Sequence, residues 1–204
     1  MTEAGECERT ETPPIEAPQA SDGGSRSNAP LQDLVDAAIG GDAAAWEEIY
    51  LAIYPRLIAY ARRRLDPESA KDAVAETMAR SVSSLASFSW RGGGFEGWIF
   101  TILHHVITDQ YRKQGRARRA ALMPELHDDV DPGSGMLADE ERRAMRAAFA
   151  KLPPGDQQLL QLRVVAGLSS EAVAEVLGKR SGAVRMAQAR ALRRLRDHFE
   201  EVSS

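Results

Sequence analysis

A chain of 204 residues has room for one large or two small domains, and its single cysteine, Cys7, excludes an internal disulfide and a cysteine-based zinc site. Aromatic residues make up 6% and charged residues 27%, which suits small helical domains better than a β-sandwich; a formal net charge of −4 excludes a uniformly basic nucleic-acid coat, so any such surface has to be local. No apolar run approaches the roughly 20 residues of a membrane span and no apolar signal core opens the chain, so a cytoplasmic protein with no direct membrane insertion is expected.

Residues 1–30 carry Pro13, Pro14, Pro18 and Pro30, six acids against Arg9 and Arg26, and almost no large apolar side chains, which reads as a disordered acidic leader. It is either a solvated tail or a segment that competes electrostatically with a polyanion. Helical patterning starts at Leu31 and runs to Ile39, where Gly40 and Gly41 end it. Asp42 caps a second helix through Trp46, Ile49, Ile53, Leu57 and Ala61, in which Pro55 is expected to introduce a kink or a split. Asp66 and Pro67 open a third, with Ala70, Ala73, Val74, Thr77, Met78, Ser81, Val82 and Leu85 as a continuous small and apolar stripe. Asp72 and Glu76 lie one turn apart on a more polar side, as a solvated face or a protein-docking face, since no further ligand completes a metal shell.

Trp90, Arg91 and three glycines lead to Phe95, a loop in which glycine admits close backbone approach and aromatic rings offer faces for a base. The competing reading is a flexible connector whose Trp90 covers the core. A helix from about Glu96 to Lys113 buries Trp98, Ile99, Ile102, Leu103, Val106 and Ile107 and exposes Thr101, His104, His105, Thr108, Asp109 and Arg112. The adjacent histidines diverge by about 100° and lack the i, i+4 spacing of a zinc pair, so they read as polar contacts. The helix runs out into the basic residues Arg112, Lys113, Arg116, Arg118 and Arg119. Residues 121–141 hold seven acids and no lysine or arginine, with Pro124, Pro132, Gly133 and Gly135, and read as an extended linker.

A second domain begins near Leu137 with a helix to Lys151; another carries Leu159, Leu160, Leu162, Val164 and Val165 up to Gly167. Ser169 caps a short helix that Gly178 closes, and Ser181 caps the next. In that last helix Val184, Ala187, Ala191 and Leu195, with Leu192 at the edge, gather on one side, while Arg185, Met186, Ala189, Arg190, Arg193 and Arg196 gather on the other; residues from His198 on are expected to fray. One face packs and the other is basic, as a helix-turn-helix requires if arginines are to reach phosphates and guanine edges. From residues 178–197, Lys179, Arg180, Arg185, Arg190, Arg193, Arg194 and Arg196 stand against Asp197 alone, which favours DNA binding over a merely solvated face.

The segments DPESAKDAVAETMARSV, GWIFTILHHVITDQYRKQGR and LPPGDQQLLQLRVVAGLSSEAVAEVLGKRSGAVRMAQARALRRLR, in that order, resemble the bacterial RNA polymerase sigma factors of the sigma-70 family, in their small two-domain extracytoplasmic-function (ECF) group. The resemblance implies an all-α fold of two small helical domains joined by a flexible acidic linker: a leader at 1–30, a sigma-2 domain at 31–115, the linker at 116–137 and a sigma-4 domain with the helix-turn-helix at 138–200. By position it implies that Asp72 and Glu76 dock on the clamp helices of the largest polymerase subunit. It implies that Trp90, Arg91, Phe95, Trp98, Thr101, His104, His105, Thr108, Arg112 and Lys113 melt and read the −10 element. It assigns −35 recognition to Lys179, Arg180, Ser181, Arg185, Met186, Ala189, Arg190 and Arg193. The sigma-4 domain would sit on the flap tip and the linker would thread toward the RNA exit path. Leu103, His104 and His105 replace a common Ala-Arg-Asn of the family, and Ala75, Met78 and Val82 depart from its usual Gln, Phe and Trp.

The function implied is a promoter-specificity subunit that recruits core RNA polymerase to −35 and −10 elements, helps melt the DNA, uses no catalytic residue, metal or cofactor, and is held silent by an anti-sigma factor. Two rivals stand beside it. A stand-alone helix-turn-helix regulator of duplex operators accounts for the second domain but leaves residues 88–119 without a purpose. An enzyme built on Asp72, Glu76 or the histidines lacks any nucleophile–base pair or phosphate loop. The leader and linker are expected to cover the basic clusters when polymerase is absent.

Overall fold

Asp42 turns the chain from α1 (Leu31–Ile39) into α2 (Ala43–Arg62), its carboxylate accepting from the amides of Ala44 and Ala45 at 2.9 and 3.3 Å. The structure, a computed structural model, describes residues 31–113 and 136–203; the expectations for the leader at 1–30, for Arg116, Arg118 and Arg119, and for most of the linker lie outside the described residues. Pro55 neither splits nor ends α2, which runs unbroken through it. Its ring faces outward while Ile53, Leu57, Tyr60 and Ala61 on the other side are buried, and that packing outweighs the one lost amide.

Asp66 caps α3 (Pro67–Ser84) by accepting from Ser69 N at 3.0 Å, and those hydrogen bonds hold its carboxyl below the usual carboxylate range. The buried stripe of α3 comprises Ala70, Ala73, Val74, Thr77, Met78 and Ser81. Val82 is not part of it: 52% exposed, it has rotated past the edge of the packed arc. Thr77 and Ser81 bury their hydroxyls by donating to the carbonyls of Ala73 and Met78 on their own helix. A 3-10 turn, Leu85–Ser87, leads to the glycine loop and then α4 (Gly94–Lys113), whose buried face adds Phe95 and Phe100 to the expected Ile99, Leu103, Val106 and Ile107. Trp98 and Ile102 pack against that core from its margin.

The second half consists of α5 (Met136–Ala150), α6 (Pro154–Leu160), a π-helical turn (Gln161–Val165), α7 (Ser170–Leu177) and α8 (Ser181–Ser203). In the π turn Ala166 N donates to Gln161 O at 3.0 Å, five residues back, so one more residue is accommodated than an α-turn holds. Val164 is turned outward by it and is 70% exposed, against the expectation of a continuous apolar helix to Gly167. The last helix does not fray at His198. It continues to Ser203 because α5 lies along it and Lys151 holds Glu201 at 3.3 Å.

All described residues are helical or connecting, with no strand among them. The core is continuous across the two halves: Ile53, Leu57 and Leu103 from the first belong to one cluster with Leu159, Leu162, Leu168, Val173 and Val184 from the second. Helix α4 lies against α7, and α2 against the π turn.

Candidate nucleic-acid interface

The two helices of the helix-turn-helix are fixed by their ends. Ser169 Oγ accepts from Ala172 N at 3.0 Å to start α7. Gly178, in the left-handed region at φ 62°, ends it, and the following amide, Lys179 N, bonds back to Ala174 O at 2.8 Å. Ser181 is the first residue of α8 and not the cap before it. Val184 and Ala191 are buried, with Ala187 and Leu195 packed beside them, so the opposite side of α8 faces out. On that side Lys179, Arg180, Arg185, Met186, Ala189, Arg190 and Arg193 are all exposed, Met186 to 67%, and Ser181 is half-buried at the helix start. Arg196 is exposed as well, whereas Arg194 points sideways and pairs with Asp156 of α6 at 2.6 Å.

Two neighbours of this face, Glu171 and Arg163, carry no signal in the sequence. Glu171, in the first turn of α7, holds Arg185 at 3.1 Å. Arg163, from the π turn, donates through Nε to Gln188 Oε1 at 2.8 Å and through Nη1 to the carbonyl of Leu168, bracing α8 against the start of α7. The Glu171–Arg185 and Arg163–Gln188 contacts span 14 and 25 residues, so helical periodicity carries no trace of them.

The second surface is built on α4 and the loop before it. Trp90 stands out of the loop, 42% exposed, with its ring edge-on to Phe88 at 5.0 Å and its indole N–H donated to Asp36 Oδ1 at 2.9 Å. Phe95, by contrast, is only 1% exposed and packs beneath Phe88 and Trp98; it supports the surface from below. Arg91, His105, Arg112 and Lys113 are exposed, with Arg112 paired to Asp109 at 3.3 Å. Thr101 and Thr108 are half-buried and turn their hydroxyls back onto the carbonyls of Gly97 and His104, both at 2.7 Å. The two histidine rings are 6.2 Å apart, and no cluster of three or more His, Cys, Asp or Glu among the described residues has the geometry to hold a metal ion.

His104, expected on the open face, is half-buried because the second half of the chain covers it. Gln158 Nε2 of α6 lies 3.5 Å from its Nδ1. Burial, then the charge of Arg64 and then His105, lower its pKa from 6.5 to about 4, so the ring is neutral at physiological pH. The same cover continues along α4. A Cβ placed on Gly97 would lie 3.4 Å from Ala172 Cβ, and one on Gly93 would collide with the Glu175 carboxylate. Arg56 of α2 reaches between the halves, donating through Nε to Ala166 O at 2.8 Å and pairing with Glu96, while Arg64 Nη2 donates to Gln161 Oε1 at 2.8 Å.

On α3, Asp72 is exposed, and Glu76 is half-buried and pairs with Arg80 one turn on at 2.5 Å. With Ala75, Ala79 and Val82 exposed beside them, they form a carboxylate strip of small side chains on the outside of the first half. No helix of the described residues is long and apolar enough to cross a membrane.

Comparison with known proteins assigns the chain to a family. Residues 49–117 match Sigma-70 region 2 and residues 142–195 match Sigma-70, region 4. The ECF RNA polymerase sigma factor SigD of Mycobacterium tuberculosis is 33% identical over 177 residues, covering 83% of this chain and 84% of that protein. The ECF RNA polymerase sigma factor ShbA of Streptomyces griseus is 34% identical over 180 residues, covering 82% and 94%. In fold the chain is similar to CnrH, solved in complex with the cytosolic domain of CnrY, at a TM-score of 0.59 and 22% identity, with 83% of this chain and 97% of that one covered. With both regions in order and relatives at this identity over most of its length, the chain belongs to the ECF RNA polymerase sigma factors of the sigma-70 family, the promoter-specificity subunits of bacterial transcription.

Proposed function

We propose that the chain divides its work between residues 31–115, which dock on the polymerase clamp helices and open the −10 element, and residues 138–200, which sit on the flap tip and read the −35 element. The observation that carries this reading is that one polypeptide presents two separate surfaces of different kinds. One is the exposed arginine face of α8, suited to a duplex major groove; the other is the aromatic and glycine loop before α4, suited to an unstacked base. Arg185, Arg190 and the first turn of α8 act on base edges, and Arg193 on phosphate. Trp90, Trp98, His105 and the basic end of α4 act on the melted strand. Asp72 and Glu76 act on the polymerase, since carboxylates on a DNA-facing surface would repel phosphate.

Each domain alone offers a small DNA surface and binds weakly. Mounting both on one polymerase makes the second contact effectively intramolecular. Because α7 and α6 cover part of the α4 face, at Gly97 and His104, simultaneous use of both surfaces requires the halves to separate. An anti-sigma factor that stabilises the joined arrangement is the corresponding silencing partner; RpoE of Bartonella quintana, solved with the anti-sigma factor NepR, has a similar fold at a TM-score of 0.58. The chain acts in the cytoplasm, without catalytic residues or cofactors.

The test is to sequence the transcripts made by core RNA polymerase with and without the protein. A set of new start sites sharing paired −35 and −10 elements is expected. A palindromic duplex site bound without any dependence on polymerase would replace this reading with that of a stand-alone helix-turn-helix regulator.

A further inference from the structure

We propose that Asp36 is a positioning residue for Trp90, reaching from α1 to the glycine loop to fix the indole as a platform for an unstacked promoter base. The inference rests on the reading of that loop as the −10 surface.

The loop from Ser89 to Gly93 is not helical; its backbone is tied after Trp90, by Gly94 N donating to Arg91 O at 2.8 Å and Gly97 N donating to Gly93 O at 3.0 Å, and these bonds leave the χ angles of Trp90 free. The ring is nevertheless held at its N–H edge, while its far edge lies over a glycine. Its Nε1–H donates to Asp36 Oδ1 at 2.9 Å across 54 residues of sequence, and its Cζ3 edge lies 3.9 Å from where a Cβ on Gly94 would sit. Gly94 has φ 62°, a conformation that keeps this position free of a side chain. Phe88 supports the indole edge-on, and Phe88 in turn packs on Phe95 and Trp98. With these contacts made, 42% of the residue still faces outward, and the exposed cation Arg91 follows it in the chain, suited to the phosphate of a stacked nucleotide.

The hydrogen bond is not needed to solvate the indole, whose N–H is accessible to water, nor to hold α1. Val35 is fully buried, and Leu31, Leu34 and Ala38 pack on the same core, anchoring α1 independently of the exposed Asp36. Breaking the bond therefore releases the ring and not the helix. Its effect is on pre-orientation, since a ring already fixed before the base arrives loses little freedom on stacking.

Holoenzyme assembled from core RNA polymerase and the full chain is bound to fork-junction promoter DNA whose single-stranded −10 segment is randomised, and the retained strands are sequenced. Asp36→Ala is expected to flatten the preference at one −10 position by roughly three- to tenfold. Asp36→Asn, which keeps an acceptor oxygen, retains the wild-type preference, and both variants keep the wild-type melting temperature and −35 duplex affinity. Trp90→Ala flattens the same position by roughly fivefold or more. If Trp90→Ala has this effect and Asp36→Ala does not, the positioning role is wrong while the reading of the loop stands. If Trp90→Ala has none either, both fall. Equal losses in Asp36→Ala and Asp36→Asn would overturn the hydrogen bond as the cause.

Discussion

Acidification should weaken the joined arrangement of the two halves through His104. Its pKa is lowered from 6.5 to about 4 by burial under α6, by Arg64 from the turn after α2 and by His105 on its own helix. The folded form thus binds fewer protons than the unfolded or separated form between those two values, so stability rises with pH across that window. The contribution is fully present above pH 6.5 and is lost progressively as pH falls toward 4. At about 1.4 kcal/mol per pKa unit the ceiling is roughly 3 kcal/mol, and partial solvent contact of the ring reduces the expectation to about 1–2 kcal/mol. For a chain of this size that is a shift in Tm of about 2–8 °C. The assay is thermal unfolding by circular dichroism at about pH 7 and about pH 5, for wild type and His104→Gln. Carboxylates such as Asp66, whose pKa is also lowered, contribute equally to both proteins, so the difference between the two pH dependences isolates His104. Wild type should lose more stability than the variant over this interval. Parallel pH dependences would refute the argument, because they would show that His104 is as accessible to protons in the folded chain as in the unfolded one.

Three further outcomes are expected. In a Cys7→Ser background, Gly97→Cys with Ala172→Cys should form a disulfide under mild oxidation, since the 3.4 Å Cβ separation is close to the roughly 3.5–4.5 Å such bonds use; the oxidised protein should fail to support transcription until reduced, and full activity while oxidised would show that the halves need not part. Arg185→Ala should cost about 1–3 kcal/mol of −35 binding and relax base preference, whereas Arg196→Ala should weaken all sequences alike and lower the salt slope; uniform effects of both in a binding-sequencing assay would remove the division of labour. Replacing Asp72 and Glu76 together by Lys should abolish co-purification with core polymerase while leaving the circular dichroism spectrum unchanged, and retained affinity for core would end that assignment.

Local signals are legible in the sequence where they have local causes. Asp42, Asp66 and Ser169 announce helix starts because each bonds to an amide two or three residues on, and Gly178 announces an end because its φ of 62° suits glycine. The basic face of α8 follows from the helical repeat alone, as does the burial of Val184 and Ala191. Periodicity finds which side of a helix is apolar, but not what covers a polar side. His104 falls on the polar side of the helical repeat, and its cover comes from Gln158 of α6, 54 residues away. Phe100 lies on the buried side of α4, and Phe95, although it closes a glycine-rich loop, packs in the core rather than at the surface. The intact α2 through Pro55 has the same explanation, since tertiary packing on Ile53 and Leu57 decides the matter against local preference. Arg56 and Arg64 carry no pattern at all; their roles appear only when Ala166 and Gln161 are beside them.

The π turn at Gln161–Val165 sets a rotational phase. Removing one residue from it would restore the α-helical repeat and turn everything downstream by about 100° around the helix axis. Ala166 would carry its carbonyl away from Arg56, and Arg163 would lose its line to Gln188, so the fit between the halves and the bracing of α8 would fail together. What is constrained in this segment is therefore its length more than its composition. Val164, pointing outward, tolerates exchange, while the number of residues between Leu160 and Ala166 does not.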